Sequence, residues 1–279
     1  MKMNNLLFTA LVSVVLTSCM TNSYFQVYKA SPSDKLILNE NILVYEDENC
    51  IVFYDLWAEG GEIGFTFFNK SDTNIYLNLA ECFFIRNGLS YNYYRNRVFT
   101  HSSSTDASAS FGATSSKSVT EKNYLDLFQT NRTATTNTTE IMKSSGNSLS
   151  FIEEKIICIP AHYSKIISEY NINESLFRYC DLYIYPTKKE IKTKSFSESE
   201  SPLVFSNIIA YTVGQSSNII KFENKFYVTE ITNYPESEIY EYKYDEYCGQ
   251  KKMTTTEYFK NVSPDMFYIK YTQQDTWKH

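Results

Sequence analysis

Glycine and proline are scarce in this 279-residue chain, at 8 and 6, and histidine is scarcer still at 3. So little glycine excludes collagen-like and elastic chains and gives no basis for a phosphate-cradling loop. No G-x-S-x-G, H-E-x-x-H or Walker-type sequence occurs. His101, His162 and His279 lie far apart, so neither a metal trio nor a Cys/His nucleophilic pair has local support. Positive charge is also short. A formal net charge of -6 argues against a nucleic-acid partner, which requires a clustered positive field. Only one apolar stretch approaches spanning length, which excludes a multi-span helical membrane protein. A hydrophobic share of 43% excludes wholesale disorder. Acids do cluster, but Glu46-Asp47-Glu48 lacks the spacing and central glycine of an EF-hand loop and reads as a hairpin turn. Neither a cofactor nor a metal is expected.

What the chain has in quantity is aromatic residues, with 24 Tyr and 19 Phe. Both are strand formers. From about residue 35 to 100, short apolar runs alternate with compact polar turns. Ile42 to Tyr45 and Cys50 to Trp57 form two runs; Gly60-Gly61 breaks the chain, and Ile63, Phe65 and Phe67 then share one strand face. Ile75, Leu77 and Leu79 do the same after a polar turn. Asn87-Gly88 between two runs favours positive φ at both positions, as a type I′ hairpin requires. The pattern predicts a mainly β fold, an antiparallel β-sandwich of immunoglobulin-like type.

Residues 101–150 change character: roughly two in five are Ser or Thr. Such a segment buries too little apolar surface to offset its ordering entropy, so a flexible insertion within one domain is expected, with Asn123 to Phe128 as a possible docking island. Strands resume at Phe151 and stop at Pro160, which lacks a ladder donor. Glu174 to Cys180 suggests a short helix. Phe205 to Val213 and Asn218 to Ile231 read as strands, the second turning at Glu223-Asn224-Lys225. Pro235, the acids after it, and Tyr240, Tyr244 and Tyr247 at helical spacing predict a helix closed by Gly249. The competing strand reading rests on the alternation of Tyr240, Tyr242 and Tyr244.

The N-terminus carries an address. Lys2 precedes an apolar run from Leu6 to Leu16, too short to span a bilayer but suited to a signal peptide. Leu16-Thr17-Ser18-Cys19 resembles the bacterial lipobox. That resemblance implies cleavage after residue 18, acylation of Cys19, and a membrane anchor without a spanning helix. Residues 19–34 then read as a tether and 35–279 as one β-rich domain interrupted at 101–150. No acid follows Cys19 until Asp34, which fits an outer-membrane lipoprotein facing the periplasm, with the cell surface as the alternative. The mature chain resembles outer-membrane lipoproteins of the Bacteroidota in Tyr24-Phe25-Gln26-Val27-Tyr28-Lys29, in Ile75-Tyr76-Leu77-Asn78-Leu79 and in Phe222 to Val228. The resemblance carries over no functional residues.

Without Cys19, five cysteines remain: Cys50, Cys82, Cys158, Cys180 and Cys248. They allow at most two disulfides, and no C-x-x-C pair is present. The alternative is that most serve as small buried side chains. Exposed rings are the remaining candidates for binding: Trp57, Tyr91, Tyr93 and Tyr94, as a carbohydrate or peptide groove. The expected function is therefore a non-enzymatic, membrane-anchored binding or structural component of the cell envelope, with an envelope protein or glycan as partner. The alternatives are a carbohydrate-binding module and an envelope glycan hydrolase.

Overall fold

A computed structural model describes residues 22–32, 35–39, 41–103, 117–120, 131–134 and 147–273. Cys19, the signal region and the 123–128 island lie outside the described residues. Before the Ser/Thr-rich segment come β1 (Ser23–Pro32), β2 (Ile37–Asn39), β3 (Ile42–Glu46), β4 (Cys50–Tyr54), β5 (Phe65–Asn69), β6 (Ile75–Asn78), β7 (Phe83–Arg86) and β8 (Leu89–Asn92). Around and within that segment are β9 (Val98–Ser103), β10 (Lys117–Thr120), β11 (Asn131–Ala134) and β12 (Asn147–Ile152). After it come β13 (Ile156–Ile159), β14 (Ser164–Ile167), β15 (Thr193–Ser195), β16 (Val204–Val213) and β17 (Ile220–Pro235). One helical turn, α1 (Glu236–Ile239), then leads into β18 (Tyr240–Tyr247), β19 (Gln250–Phe259) and β20 (Met266–Thr272). The protein is mainly β and its strand ladders are antiparallel.

The chain divides into a larger unit, up to Arg95 and from Glu154 onward, and a smaller one, Asn96–Glu153. In the larger unit, nine strands form one sheet along β13-β6-β16-β17-β1-β20, with β7 and β8 continuing from β16 and β15 pairing with β17. The 16-residue β17 holds this sheet together. Its first half pairs with β16 and its second half with β1, and the β1 register slips at Lys29/Ala30. Such a bulge adds local twist and bend, and the sheet is curled into half a barrel. The second sheet runs β14-β5-β4-β3-β2. Cys50, Val52 and Tyr54 of β4 and Phe65 and Phe67 of β5 point inward, as their alternation predicts. Rings from the two sheets meet directly: Tyr45 stacks on Phe222 at 4.1 Å, Phe67 meets Tyr211 at 5.5 Å, and Tyr54 meets Phe226 at 5.4 Å.

Several expectations need correction. The stretch read as a tether contains β1, a strand paired on both sides and burying Tyr24, Phe25, Gln26, Tyr28 and Ala30. Its polar and small residues resemble a linker only when its strand partners, more than 190 residues away in sequence, are ignored. Within the 101–150 insertion the described parts are short strands, and the rest lies outside the described residues. β9 pairs with β12 and β10 with β11, and the smaller unit begins at Asn96 and ends at Glu153. In the β9–β12 register Phe99 stands opposite Phe151 and Val98 opposite Ile152. No helix forms at 174–180, which is irregular. Glu223-Asn224-Lys225 is not a turn: β17 runs through it, Phe222, Asn224 and Phe226 point inward, and the turn comes earlier, at Gly214. One buried asparagine imitates a loop there.

The predicted C-terminal helix shrinks to α1, and the competing strand reading prevails over 240–247. Cys248 and Gly249 both take positive φ (50° and 79°) between the paired Tyr247 and Gln250, forming a two-residue hairpin turn. The β-branched Thr254–Thr256 run of β19 needs a partner strand, which a helix would not supply. Asn87 and Gly88, at 47° and 81°, form the other such turn, as predicted.

Gly60-Gly61 does more than break the chain. Gly61 lies at φ 76°, and a Cβ on it would sit 2.8 Å from Ile172 Cδ1 and 2.9 Å from Phe267 Cγ. The two glycines also bind the irregular segment: the N–H groups of Ile172 and Asn173 donate to the carbonyls of Gly61 and Gly60. Gln26 holds the same segment further on. Its Nε2 donates to Phe177 O (2.9 Å) and Asn233 Oδ1 (2.8 Å), and its Oε1 accepts from Phe177 N (2.7 Å) and from the Tyr28 hydroxyl.

Two predictions follow from these contacts. Gln26→Leu leaves the buried Asn233 Oδ1 without its donor and takes the Oε1 acceptor from the buried Tyr28 hydroxyl, and should lower unfolding free energy by about 3 kcal/mol. Denaturant titration measures it; a loss below about 0.5 kcal/mol would refute the network's role. The Asp55 carboxyl is pushed by burial from 3.8 to about 6, partly offset by the Trp57 N–H that it accepts at 3.0 Å. The native state therefore holds a proton that the unfolded chain has released between about pH 4 and 6, so this group's contribution falls as pH rises through that window. Asp55→Asn should remove that fall and raise stability at pH 7 by on the order of 2 kcal/mol, seen by comparing unfolding midpoints at about pH 4 and pH 7.

Candidate functional site

A cleft of about 350 Å³ opens beside the β7–β8 hairpin of the larger unit. The Asn87-Gly88 turn sets the register that brings Phe84 opposite Tyr91. Their rings stack at 5.7 Å. Tyr170, from the chain after β14, stacks on Phe84 at 5.4 Å and meets the edge of Tyr93 at 5.3 Å. Phe84 is buried, while Tyr91 and Tyr170 are half-buried and present ring surface to the cleft.

Two arginines interleave with these rings. Arg86, at the end of β7, places its guanidinium 5.6 Å from the Tyr91 ring centre and donates to Ile172 O (3.2 Å) and to the Tyr91 hydroxyl (3.3 Å). Arg95 lies 4.7 Å from the Tyr170 ring centre, donates to its hydroxyl at 3.2 Å and pairs with Glu169 at 3.6 Å. The Tyr170 hydroxyl in turn donates to Asn92 O. Glu174 lies on the rim and accepts from Asn171 at 3.3 Å. The wall thus alternates flat apolar faces with fixed donors, and two carboxylates supply acceptors. Rings with polar tips and a few oriented polar groups are the usual lining of a pocket for a small polar ligand.

The four rings singled out from sequence do not form one groove. Tyr91 lines the cleft. Tyr93 is 2% exposed and serves the core, its hydroxyl donating to Asn207 Oδ1 at 2.8 Å. Tyr94 is half-buried against the core, its N–H donating to Leu79 O. Trp57 stands elsewhere, half-buried against Phe259 (5.0 Å) and Tyr268 (5.2 Å). Sequence reading missed Arg86, Arg95 and Tyr170. An arginine next to a type I′ turn was a visible signal; the approach of Tyr170, some eighty residues on, was not.

None of the five described cysteines is bonded. Cys50 and Cys82 are buried, and burial pushes the Cys82 thiol up to about 11. Cys158, Cys180 and Cys248 are exposed. His162 sits in a turn at φ 64° with Nε2 3.1 Å from Asp72 Oδ1, and among the described residues no cluster of three His, Cys, Asp or Glu side chains could hold a metal.

Ring stacking, rather than ion pairing, should hold this cleft in shape. Tyr170→Ala should cost about 3 kcal/mol of stability and Arg95→Ala under about 1, because exposed ion pairs contribute little. Equal losses in chemical denaturation would contradict that division. The chain matches no family model, no curated protein and no solved structure, so any function for this cleft has to be inferred from its own geometry.

Proposed function

We propose that the chain is an acylated envelope lipoprotein whose body, a β-sandwich of immunoglobulin-like type, binds an envelope glycan without transforming it. The lipobox-like Leu16-Thr17-Ser18-Cys19 supports the anchor. The ring contacts between the two antiparallel sheets support the sandwich. The arginine–tyrosine cleft is the observation that carries the binding role. A saccharide offers apolar C–H faces to Tyr91 and Tyr170 and hydroxyls to Arg86, Arg95 and the carboxylates. Anchoring adds effective concentration, so a weak cleft suffices against a glycan held in the same envelope. The location that accords with this role is the outer membrane facing the periplasm; display on the cell surface is the alternative.

Glu169 and Glu174, which both line the cleft, favour one second reading, hydrolysis of the glycan, since glycoside cleavage uses two carboxyl groups. The test combines mass spectrometry of the native protein with titration of soluble envelope-glycan fragments. Acyl mass on an N-terminal Cys19, and fragment binding weakened about tenfold or more by Tyr91→Ala, is the expected result. Intact Met1, or no binding of any fragment, would overturn the proposal. Fragment shortening that Glu169→Gln abolishes would establish the hydrolase instead.

A further inference from the structure

Only Met20, Thr21 and Asn22 separate Cys19 from β1. At no more than ~3.6 Å per residue, Cys19 lies within about 14 Å of Ser23. Given the anchor proposed above, on which this inference rests, the body cannot swing far from the bilayer. The end of the large sheet where β1 begins must face it.

That end has a definite composition. Ser23 is opposite Thr272, and Tyr24 is opposite both Tyr271 and Pro235. The chain around 183–192 is fastened there. Tyr24 meets the Tyr185 ring at 5.2 Å, the Tyr271 hydroxyl donates to Ile184 O, and Asn233 Nδ2 donates to Tyr183 O at 2.9 Å. β15 continues this chain up the side of β17, with Thr193 opposite Thr232.

In a chain of net charge -6, residues 186–194 carry Lys188, Lys189, Lys192 and Lys194 against the single acid Glu190. The Glu190 carboxylate is turned back onto its own turn, accepting from Thr187 N (3.0 Å) and Oγ1 (2.7 Å). Lys188 reaches Glu238 of α1 at 3.0 Å yet keeps 76% of its side chain exposed. Lys192 lies 5.2 Å from the centre of the Tyr183 ring, which is 53% exposed. The other acids around this face are Glu236 on α1, and Asp181 and Glu200, which act on Lys194 at its far end. Exposed lysines with a half-exposed tyrosine among them form a side-chain set suited to a membrane–water boundary. Anionic headgroups attract such lysines within about a Debye length of the surface.

We propose that Lys188, Lys189, Lys192 and Tyr183 dock this end of the sheet onto an anionic bilayer surface. The body then lies against the lipid in a fixed orientation instead of hanging from a flexible tether.

The test uses full-length Cys19→Ser, which bears no acyl chain, with vesicles of phosphatidylcholine alone or with phosphatidylglycerol. At about 0.1 M salt it should partition at least about tenfold more strongly onto the anionic vesicles. Adding Lys188→Glu, Lys189→Glu and Lys192→Glu should abolish that preference, whereas the same charge change at the exposed Lys155 and Lys165 with Lys221 should leave it largely in place. Unfolding curves of both triple variants show whether the fold is kept. No preference for anionic vesicles, or a preference that both triple variants lower equally, would overturn the proposal. Acyl mass on the wild-type chain is read separately: an acylated protein with no lysine-dependent preference sinks the docking face alone, and an unacylated one sinks the anchor.

Discussion

A tyrosine can be buried only if its hydroxyl finds a partner, and in a chain with 24 of them that constraint shapes the whole core. Four fully or nearly fully buried rings meet it in four ways. Tyr28 donates to Gln26, Tyr93 to Asn207 (2.8 Å) and Tyr211 to Asp47 (2.7 Å), while Tyr54 accepts from Asn224 at 2.9 Å. Burial raises the pKa of all four, so they stay neutral and keep these hydrogen bonds through the physiological range. Three of the partners are themselves tied elsewhere: Asn207 Nδ2 donates to Ile63 O at 2.8 Å, Asp47 Oδ1 accepts from the N–H groups of Asn49 and Cys50, and Gln26 Nε2 donates to Phe177 O. Polar side chains therefore fix how the two sheets face each other where rings alone would allow sliding.

The same pairing explains the irregular stretch between β14 and β15. Apart from one capped 3₁₀ turn at Lys188–Glu190 it has no helix or long strand, and it is held by hydrogen bonds to groups that other elements supply. Gly60 and Gly61 receive Ile172 and Asn173, Gln26 receives Phe177, and Asn233 receives Tyr183. Tyr170 enters the cleft and Tyr183 reaches the end of the sheet on one continuous length of chain. Both surfaces to which a role is assigned thus depend on a segment with almost no regular structure of its own.

Local signals were readable where one residue type has one structural use. Asn87-Gly88 made its hairpin, Pro160 ended its strand, and Ile75, Leu77 and Leu79 were all buried as their spacing required. Failures came where polarity was taken for exposure. Asn224 lies inside a strand, and Gln26 sits in the middle of what resembled a tether. Polar residues buried beside a tyrosine look the same in sequence as polar residues in a loop. The hairpin turn at Cys248-Gly249 was missed because its first position holds cysteine where asparagine or aspartate is usual.

Of the candidate site, Tyr91 was visible as an exposed-type ring beside a strong turn, but its company was not. The strand-rich class, the inward-facing runs and the lipobox-like start are legible along the chain because each depends on residues within a few positions of one another. That β1 is central, that Arg86, Arg95 and Tyr170 share one cleft, and that the 183–192 segment lies beside the start of β1 emerges only in three dimensions. Those placements arise from ladders and ring contacts between residues as much as 249 positions apart, and periodicity within a strand says nothing about which distant strand will pair with it.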